Sequence, residues 1–518
     1  MIKFFNKRIF IIFISPLILG GLSTLSFQPY NYFFLNFFSL SSLFFLIVYV
    51  KKKSKSVYRK KPFLKNLFIL GTSFGFGFFF CGLYWIAHSL TFDDTFKFLI
   101  PFSLFLIPLF LSLFFSIPII LIGNFIDENL SSIFLISLVF ALSDFLRNIL
   151  FNGFPWNLWA YSFSWSVESL QVLSNIGLFS FNLILITFFF IPSALFFKNK
   201  IKYTFIIFFI SLFLGNYFYG SYKINSYKEN DNKLLNFKII SARMDLAEFK
   251  DIEQVALKLI KYSSPDKKKK TIFIWPEGVF FGENFENLND LKPLFKNNFS
   301  KNHIIVFGAN TKKKNNNGDY EYFNSMLFVD NELNIISKYD KRKLVPFGEF
   351  LPFEKLLKKF GLKKVTAGYS SFSKGSNDSI LKLDFDKKSI KFLSLICYEI
   401  IFPDIIELNK NKFNFIINIS EDAWFGESIG PYQHFSKAVF RSIESKTYTL
   451  RSANRGVSAF ISPNGKILKS LSPNEAGNIE MQLPILNSNT TNTKKSLIFL
   501  SLLITFILTF LILKKIKI

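Results

Sequence analysis

The sequence predicts a polytopic α-helical membrane region of about eight spans, with an α/β domain inserted before the last span. Three observations predict it. Long apolar runs dominate residues 1–222. The charges concentrate in residues 223–495, where short β-rich runs alternate with an amphipathic helical period. One further uncharged run, SLIFLSLLITFILTFLIL, fills 496–513 and precedes a basic tail. A mean hydropathy of +0.30, with only 19% charged residues, excludes an all-soluble chain. Half of the residues are hydrophobic, which excludes disorder over most of the length. The two cysteines, Cys81 and Cys397, are too few for a disulfide framework or a four-cysteine zinc site.

Runs long enough to cross lie near 9–26, 31–50, 66–90, 98–124, 130–150, 166–197, 203–221 and 496–513. The fourth and sixth exceed one crossing of about 20 residues, which predicts tilt or a re-entrant piece. The first begins with Lys3, Lys7 and Arg8 but has no small-x-small cleavage site and leads into another span. It therefore reads as a span and not a cleaved leader. Orientation follows the basic residues. The run KKKSKSVYRKK (51–61), the segment KNKIK (198–202), the N-terminus and the tail KKIKI all fall on one side if seven spans precede the soluble block. The opposite loop HSLTFDDTFK carries one lysine. Both termini are then cytoplasmic and the soluble block lies across the membrane. Asp127 and Glu128 are acidic on the cytoplasmic side, but acidic residues count little in this rule. Basic runs beside spans are read as topology determinants, not as nucleic-acid sites.

The soluble block opens with the strand FKIISA (237–242) and the helix pattern DIEQVALKLIKYS (251–263). TIFIWPEG (271–278), HIIVFGAN (303–310), NSMLFVD (324–330), NIISKYD (334–340), SIKFLSLICYE (389–399), FNFIINIS (413–420) and GVSAFISP (456–463) are further strands, and a long helix is expected over 432–451. Strands alternating with helices indicate buried sheets. Chemistry is then sought in polar residues at strand ends. Glu277 follows IFIWP, Lys341 follows NIISKYD and Cys397 follows FLSLI. Each comes from a different strand, and the set is chemically sufficient. A carboxylate makes a thiol into a thiolate. An ammonium and the backbone N–H of Tyr398 stabilise an oxyanion. Taken singly, each residue has a plainer reading: a packed cysteine, a solvated glutamate or lysine. A Cys–His pair would need His88, His303 or His434, and only His434 has a chance to approach. Three scattered histidines make no metal-ligand cluster, and no cofactor is expected.

WPEG with Glu277, KYDKRKLVPFGEF with Lys341 and Glu349, and LICYEIIFPD with Cys397 resemble the motifs of the nitrilase superfamily. INISEDAWFGESIGPYQHFSKAVFRSIESKTYTLRSANRGVSAFISPNG (417–465), GFPWNLWAYS (153–162), GFGFFFCGLYWI (75–86) and LSFQPYNYFFL (25–35) resemble its membrane-embedded branch, the apolipoprotein N-acyltransferases, over about residues 9–513. The resemblance implies an αββα nitrilase-like sandwich on an eight-helix base, facing the periplasm from the inner membrane. It implies Glu277 as general base, Lys341 as oxyanion-stabilising lysine and Cys397 as acyl-accepting nucleophile. Glu349 would support the lysine, and Tyr398 and Glu399 would shape the site. The implied partners are a phospholipid donor, expected to be phosphatidylethanolamine, and diacylglyceryl-modified apolipoproteins. Two departures stand out. ISARMDLAEFKD (240–251) lacks the family's tryptophan, with Phe249 the nearest aromatic, and SEDAW replaces the commoner Asn-Asp-Ala-Trp. A membrane-tethered amidase for a small C–N substrate is the alternative enzyme reading. A scaffold or transporter with an inert domain is the third, and the intact Glu277–Lys341–Cys397 set argues against it.

Overall fold

The computed structural model describes residues 7–54, 60–227, 234–245, 251–280, 282–315, 318–352, 371–409, 412–486 and 494–516. They build two compact units. A helical unit comprises Met1–His88, Lys97–Ser226 and Thr491–Ile518, and a sheet unit comprises Ser89–Phe96 and Tyr227–Thr490.

In the helical unit, Leu35–Lys53, Phe63–Thr91, Asp94–Ile122, Leu130–Asn152, Ile201–Asn225 and Lys495–Lys515 are long and apolar enough to cross a bilayer. Phe10–Ser26 and Leu178–Ala194 are shorter apolar helices, so two of the eight expected spans fall below full length. The long fourth run is divided at Ser112 into Ile100–Leu111 and Leu113–Ile122, each with an internal proline, Pro108 and Pro118. The sixth is broken further, into Val167–Leu170, Leu173–Ile176, Leu178–Phe189 and Ile191–Ala194, with Gly177 at φ +79 between the second and third. The helices Ile201–Asn225 and Lys495–Lys515 expose large apolar side chains such as Phe218 (66%) and Ile512 (60%). Water would not tolerate such faces, and acyl chains would. Elsewhere helices approach closely over small residues. A Cβ on Gly77 would strike the Leu17 carbonyl, and one on Gly75 would strike Ser112.

Charges in this unit are either at helix ends or paired. Lys51 and Lys52 bond Asp127 and Glu128, each at 2.7 Å, and Lys514 lies 4.6 Å over the Phe125 ring. The acidic loop that broke the charge pattern is thus neutralised by the basic run on the same end. Asp144 and Arg147 lie toward the C-terminal end of the helix Leu130–Ile149 and are buried. Arg147 donates to Asp144 at 2.8 Å and to the Phe154 carbonyl at 2.9 Å, and Asn182 donates to the other Asp144 oxygen at 2.9 Å. Asn182 also accepts the Ala160 N–H at 2.9 Å. The network therefore holds the irregular stretch GFPWNLWA, which has few backbone hydrogen bonds of its own, against two helices.

The sheet unit has strands β1 (Leu234–Ser241), β2 (Thr271–Ile274), β3 (His303–Lys314), β4 (Tyr320–Val329), β5 (Ile335–Asp340), β6 (Ile380–Phe385), β7 (Lys388–Ile396), β8 (Phe415–Glu421), β9 (Tyr448–Asn454), β10 (Ser458–Ile461), β11 (Ile467–Leu471) and β12 (Gly477–Pro484). They form two six-stranded sheets, ordered β12-β1-β2-β3-β4-β5 and β11-β10-β9-β8-β7-β6. In the first, β1, β2 and β3 run parallel; in the second, β7, β8 and β9 do. Alternation assigns the faces. Phe237 and Ile239 of β1 pack between the sheets with Phe392 and Phe415. Ile240 of β1, with Phe273 of β2, turns to the outer layer and meets Val255 and Leu259 of helix α1 (Ile252–Ser263). The expected αββα layering follows.

The helix expected over 432–451 is corrected. Helix α2 runs Gly430–Ser445, stops at Lys446 in the left-handed region (φ +54), and Tyr448–Asn454 is the central strand β9. The apolar helical period continued far enough to mask TYTLRS, whose β-branched and aromatic residues favour a strand. Strands β6, β11 and β12 were not expected. All three are sheet edges, where charged and polar residues replace a clean apolar pattern.

Removing one partner of the Asp144–Arg147 pair strands a buried charge. Arg147→Met should destabilise the protein by about 3–5 kcal/mol, and the double variant Asp144→Asn/Arg147→Met should recover much of that. Thermal unfolding in detergent measures both. Equal stability of Arg147→Met and the parent would remove the network's structural role.

Candidate active site

Three strand ends deliver the expected residues. β2 stops at Ile274, and Trp275 and Pro276 carry the chain to Glu277. Gly308 of β3 permits this: a Cβ there would lie 2.7 Å from the Glu277 Cα. β5 ends at Asp340, and Lys341 follows, its N–H donating to the Asn324 carbonyl at 2.8 Å. β7 ends at Ile396, and Cys397 begins a tight turn, Cys397–Ile401, in the left-handed region at φ +48. That conformation is costly for a non-glycine residue and is found where a side chain must be presented at a strand end.

Lys341 is 1% exposed. Its Nζ donates to Glu349 Oε1 at 2.9 Å and lies 3.4 Å from Glu277 Oε1. Asn324, on β4, bridges the same two carboxylates with its Nδ2, at 2.7 Å to each. The second oxygens are also held: Glu421 N–H donates to Glu277 Oε2 at 3.0 Å, and Val345 N–H to Glu349 Oε2 at 2.8 Å. Burial alone would pull the Lys341 ammonium down. The charges of Glu277 and Glu349, with that of a Cys397 thiolate, more than offset it, so the group stays cationic. Burial and the charge of Glu277 push the Cys397 thiol up, against Lys341 and a hydrogen bond from Ser420. The resting thiol is protonated and needs a base. Glu277, Lys341 and Cys397 thus converge, with Glu349 directly behind the lysine.

Glu399 is buried and acts as a clamp. It accepts from the Tyr339 hydroxyl (2.7 Å) and from the N–H groups of Arg342 (2.9 Å), Lys343 (3.0 Å) and Ile396 (2.9 Å). It ties the turn after Lys341 to the strand before Cys397. Burial raises its carboxyl, and these donors oppose that. Tyr398 is buried edge-on against Phe402, 5.1 Å between rings.

His434 does approach, but it meets the nucleophile's backbone. Its Nε2 lies 3.2 Å from the Cys397 carbonyl, which can only accept, so Nε2 carries the hydrogen. Nδ1 faces Asp422 at 2.9 Å and Arg451 at 3.1 Å. Burial lowers this imidazole below its usual range, aided by Arg451 and opposed by Asp422. Both ring nitrogens are taken, Nε2 by the Cys397 carbonyl and Nδ1 by Asp422 and Arg451, so neither is free to act as a base for the thiol. Among the described residues no group of His, Cys, Asp or Glu could hold a metal ion.

Comparison with known proteins extends these observations. A model of the apolipoprotein N-acyltransferase N-terminal domain matches residues 19–191, and a carbon–nitrogen hydrolase model matches residues 251–491. The apolipoprotein N-acyltransferase of Brucella suis is 30% identical, over 90% of this chain and 88% of its own. That of Rickettsia typhi is 30% identical, over 90% of this chain and 91% of its own. This chain belongs to the apolipoprotein N-acyltransferase family. Among solved structures, Nit3 of Saccharomyces cerevisiae, a nitrilase superfamily member, aligns with 49% of this chain and 93% of its own at TM-score 0.34 and 16% identity.

Glu421, the acidic residue of SEDAW, is buried at the end of β8. Its carboxylate accepts Asn454 Nδ2 on both oxygens, at 2.9 and 3.0 Å, and the Ala423 N–H at 3.1 Å. Asn454 in turn binds the N–H and carbonyl of Met244. Phe249, at the atypical 240–251 segment, lies outside the described residues. Asn324 and the Asp422–His434–Arg451 network were not singled out from sequence. Asn324 carries a signal in retrospect, being a buried amide in the middle of β4 just before the apolar run MLFV. The network carries none, because its members lie 12 to 29 residues apart, on the turn after β8, on α2 and on β9.

Burial pushes the Asp422 carboxyl up, but Arg451 (2.8 Å), His434 and Ser420 (2.6 Å) prevail and bring it down to about 2. A folded-state value below the unfolded ~3.9 contributes stability that is complete above about pH 4 and lost as pH falls toward 2. Asp422→Asn should flatten that acid limb in denaturant titrations between pH 4.5 and 2.5. A limb as steep as the parent's would assign it to other carboxylates.

Proposed function

We propose that the protein transfers an acyl chain from a membrane phospholipid, through a Cys397 thioester, to the α-amino group of the diacylglyceryl-cysteine at a lipoprotein N-terminus. The observation that carries this is a buried lysine shared by two glutamates beside a cysteine at a strained strand end, in a family member that also carries the membrane helices. In the first step Glu277 takes the Cys397 proton, and the thiolate attacks the ester carbonyl. Lys341 and the Tyr398 N–H hold the oxyanion. The C–O bond breaks, and the lysophospholipid alkoxide takes the proton back from Glu277. In the second step the amine attacks the thioester, Glu277 accepts its proton, and the C–S bond breaks to return the thiolate and then the thiol. Glu349 keeps Lys341 cationic and aimed, and Glu399 and Tyr398 fix the nucleophile turn. The donor is phosphatidylethanolamine.

Both substrates are held in the bilayer, which accounts for the helices. A soluble enzyme would have to extract acyl chains at about 0.8 kcal/mol per CH₂. We place the protein in the inner membrane with both termini cytoplasmic, residues 1–222 and 496–518 as membrane parts and 223–495 as the periplasmic catalytic domain. The gathering of Lys51, Lys52 and Lys514 at one end of the helical unit supports this sidedness. A small-substrate amidase is not favoured, because it would have no use for the matched N-terminal membrane domain.

Intact mass after incubation with phosphatidylethanolamine tests the reading, since an acyl adduct should appear. Cys397→Ala should abolish the adduct and N-acylation, whereas Cys81→Ala, on the apolar helix Lys60–Leu83, should leave both nearly intact. A normal adduct on Cys397→Ala would overturn the mechanism. Lys341→Ala should lower turnover about 10²–10³-fold with lipid affinity little changed; unchanged turnover would remove its oxyanion role. A cysteine placed at position 313 should react with a membrane-impermeant reagent in spheroplasts. Labelling only after lysis would reverse the topology.

A further inference from the structure

The segment Ser89–Phe96 lies in sequence between two long helices of the helical unit, yet it packs as part of the sheet unit. It is organised locally. Asp93 Oδ1 accepts the Thr95 N–H at 2.9 Å and the Thr95 hydroxyl at 2.7 Å, and Phe96, which is buried, donates its N–H to the Asp93 carbonyl at 3.0 Å. The turn so formed presents Phe92 edge-on to Trp424, with ring centroids 4.9 Å apart and planes at 69°.

Trp424 belongs to the turn Asp422–Phe425, which follows β8. That turn is wired to both reacting groups. Immediately before it, Glu421 donates its backbone N–H to Glu277 Oε2. Within it, Asp422 holds His434, which holds the Cys397 carbonyl. Phe425 packs edge-on to the same imidazole at 5.4 Å. Asp422, Ala423 and Phe425 are buried, and Trp424 alone of the turn is half-exposed. Phe92 therefore packs on the half-exposed side of the turn.

We propose that Phe92, acting through Trp424, is a positioning residue for the Glu277–Cys397 pair, so that the loop between two membrane helices completes the active site. The physical basis is leverage. The turn's inner face is fixed by ion pairs, and Trp424 on its outer side meets Phe92. A shift of the turn moves the Glu421 N–H and the His434 ring together, and displacements of about 1 Å between reacting groups cost about 10²-fold in rate.

The proposal rests on the acyl-transfer reading for its consequence, but its test does not. In the full-length protein in detergent, with Cys81→Ala leaving Cys397 as the single thiol, alkylation by iodoacetamide and acyl-enzyme formation from phosphatidylethanolamine are followed by intact mass. Phe92→Ala should slow both about three- to tenfold with the KM for lipid unchanged, and Phe92→Trp should restore them. A general loss of folding would instead lower the reactive fraction without changing its rate. Should Phe92→Ala fail to fold, a cycle of Phe92→Leu and Trp424→Leu carries the test: the double variant should be no slower than the slower single one. Unchanged rates in Phe92→Ala, or additive losses in the cycle, would overturn the proposal. If the parent took no acyl group from lipid while the alkylation pattern held, the acyl-transfer reading would fall and the positioning role would stand.

Discussion

A buried ammonium persists only if carboxylates surround it, and the catalytic unit is organised around meeting that condition for Lys341. One cation faces Glu277 and Glu349, Asn324 shares the oxygens it faces, and two backbone N–H groups hold the remaining ones. The participants come from the ends of β2, β5 and β8, from the middle of β4 and from the loop after β5. The pairing therefore fixes where those ends lie. It also leaves one negative charge in excess. Burial, with that excess, keeps the Cys397 thiol protonated at rest. Lys341 is thus the keystone of the site.

Much of this was legible in the chain. Glu277 and Cys397 each follow an apolar run and Lys341 follows a strand-like one, and a strand ending in a polar residue is a local feature. Their convergence needs only parallel strands, which the alternation of elements implied. What stayed hidden was what depends on three dimensions. Asn324 is one amide in a strand until two carboxylates close on it. Asp422, His434 and Arg451 share no local pattern. Edge strands β6, β11 and β12 lack a buried face on both sides, so their composition resembles that of loops. β9 was masked by the helix before it, because a fully buried helix and a fully buried strand are alike in hydropathy.

The helical unit obeys a different solvent. Outward faces are apolar, close contacts run over glycine and serine, and the buried ion pair is satisfied by backbone carbonyls of a stretch that is not helical. The sequence motif GFPWNLWAYS thereby includes irregular backbone that Arg147 and Asn182 tie down through the Phe154 carbonyl and the Ala160 N–H.

The pairing of β1 with β12 has a consequence for how the molecule is made. The two strands are antiparallel neighbours, yet roughly 240 residues separate them. At about 5–20 residues per second, β12 leaves the ribosome on the order of ten to fifty seconds after β1. For that interval β1 can pair with β2 on one side only, and its other edge presents open backbone groups to any extended chain nearby. Closure of the sheet must then come at the end of synthesis, just as the last membrane helix arrives. Completion of synthesis and completion of the fold are coupled events, and any extended nascent segment that reached the open edge first would compete with the native partner.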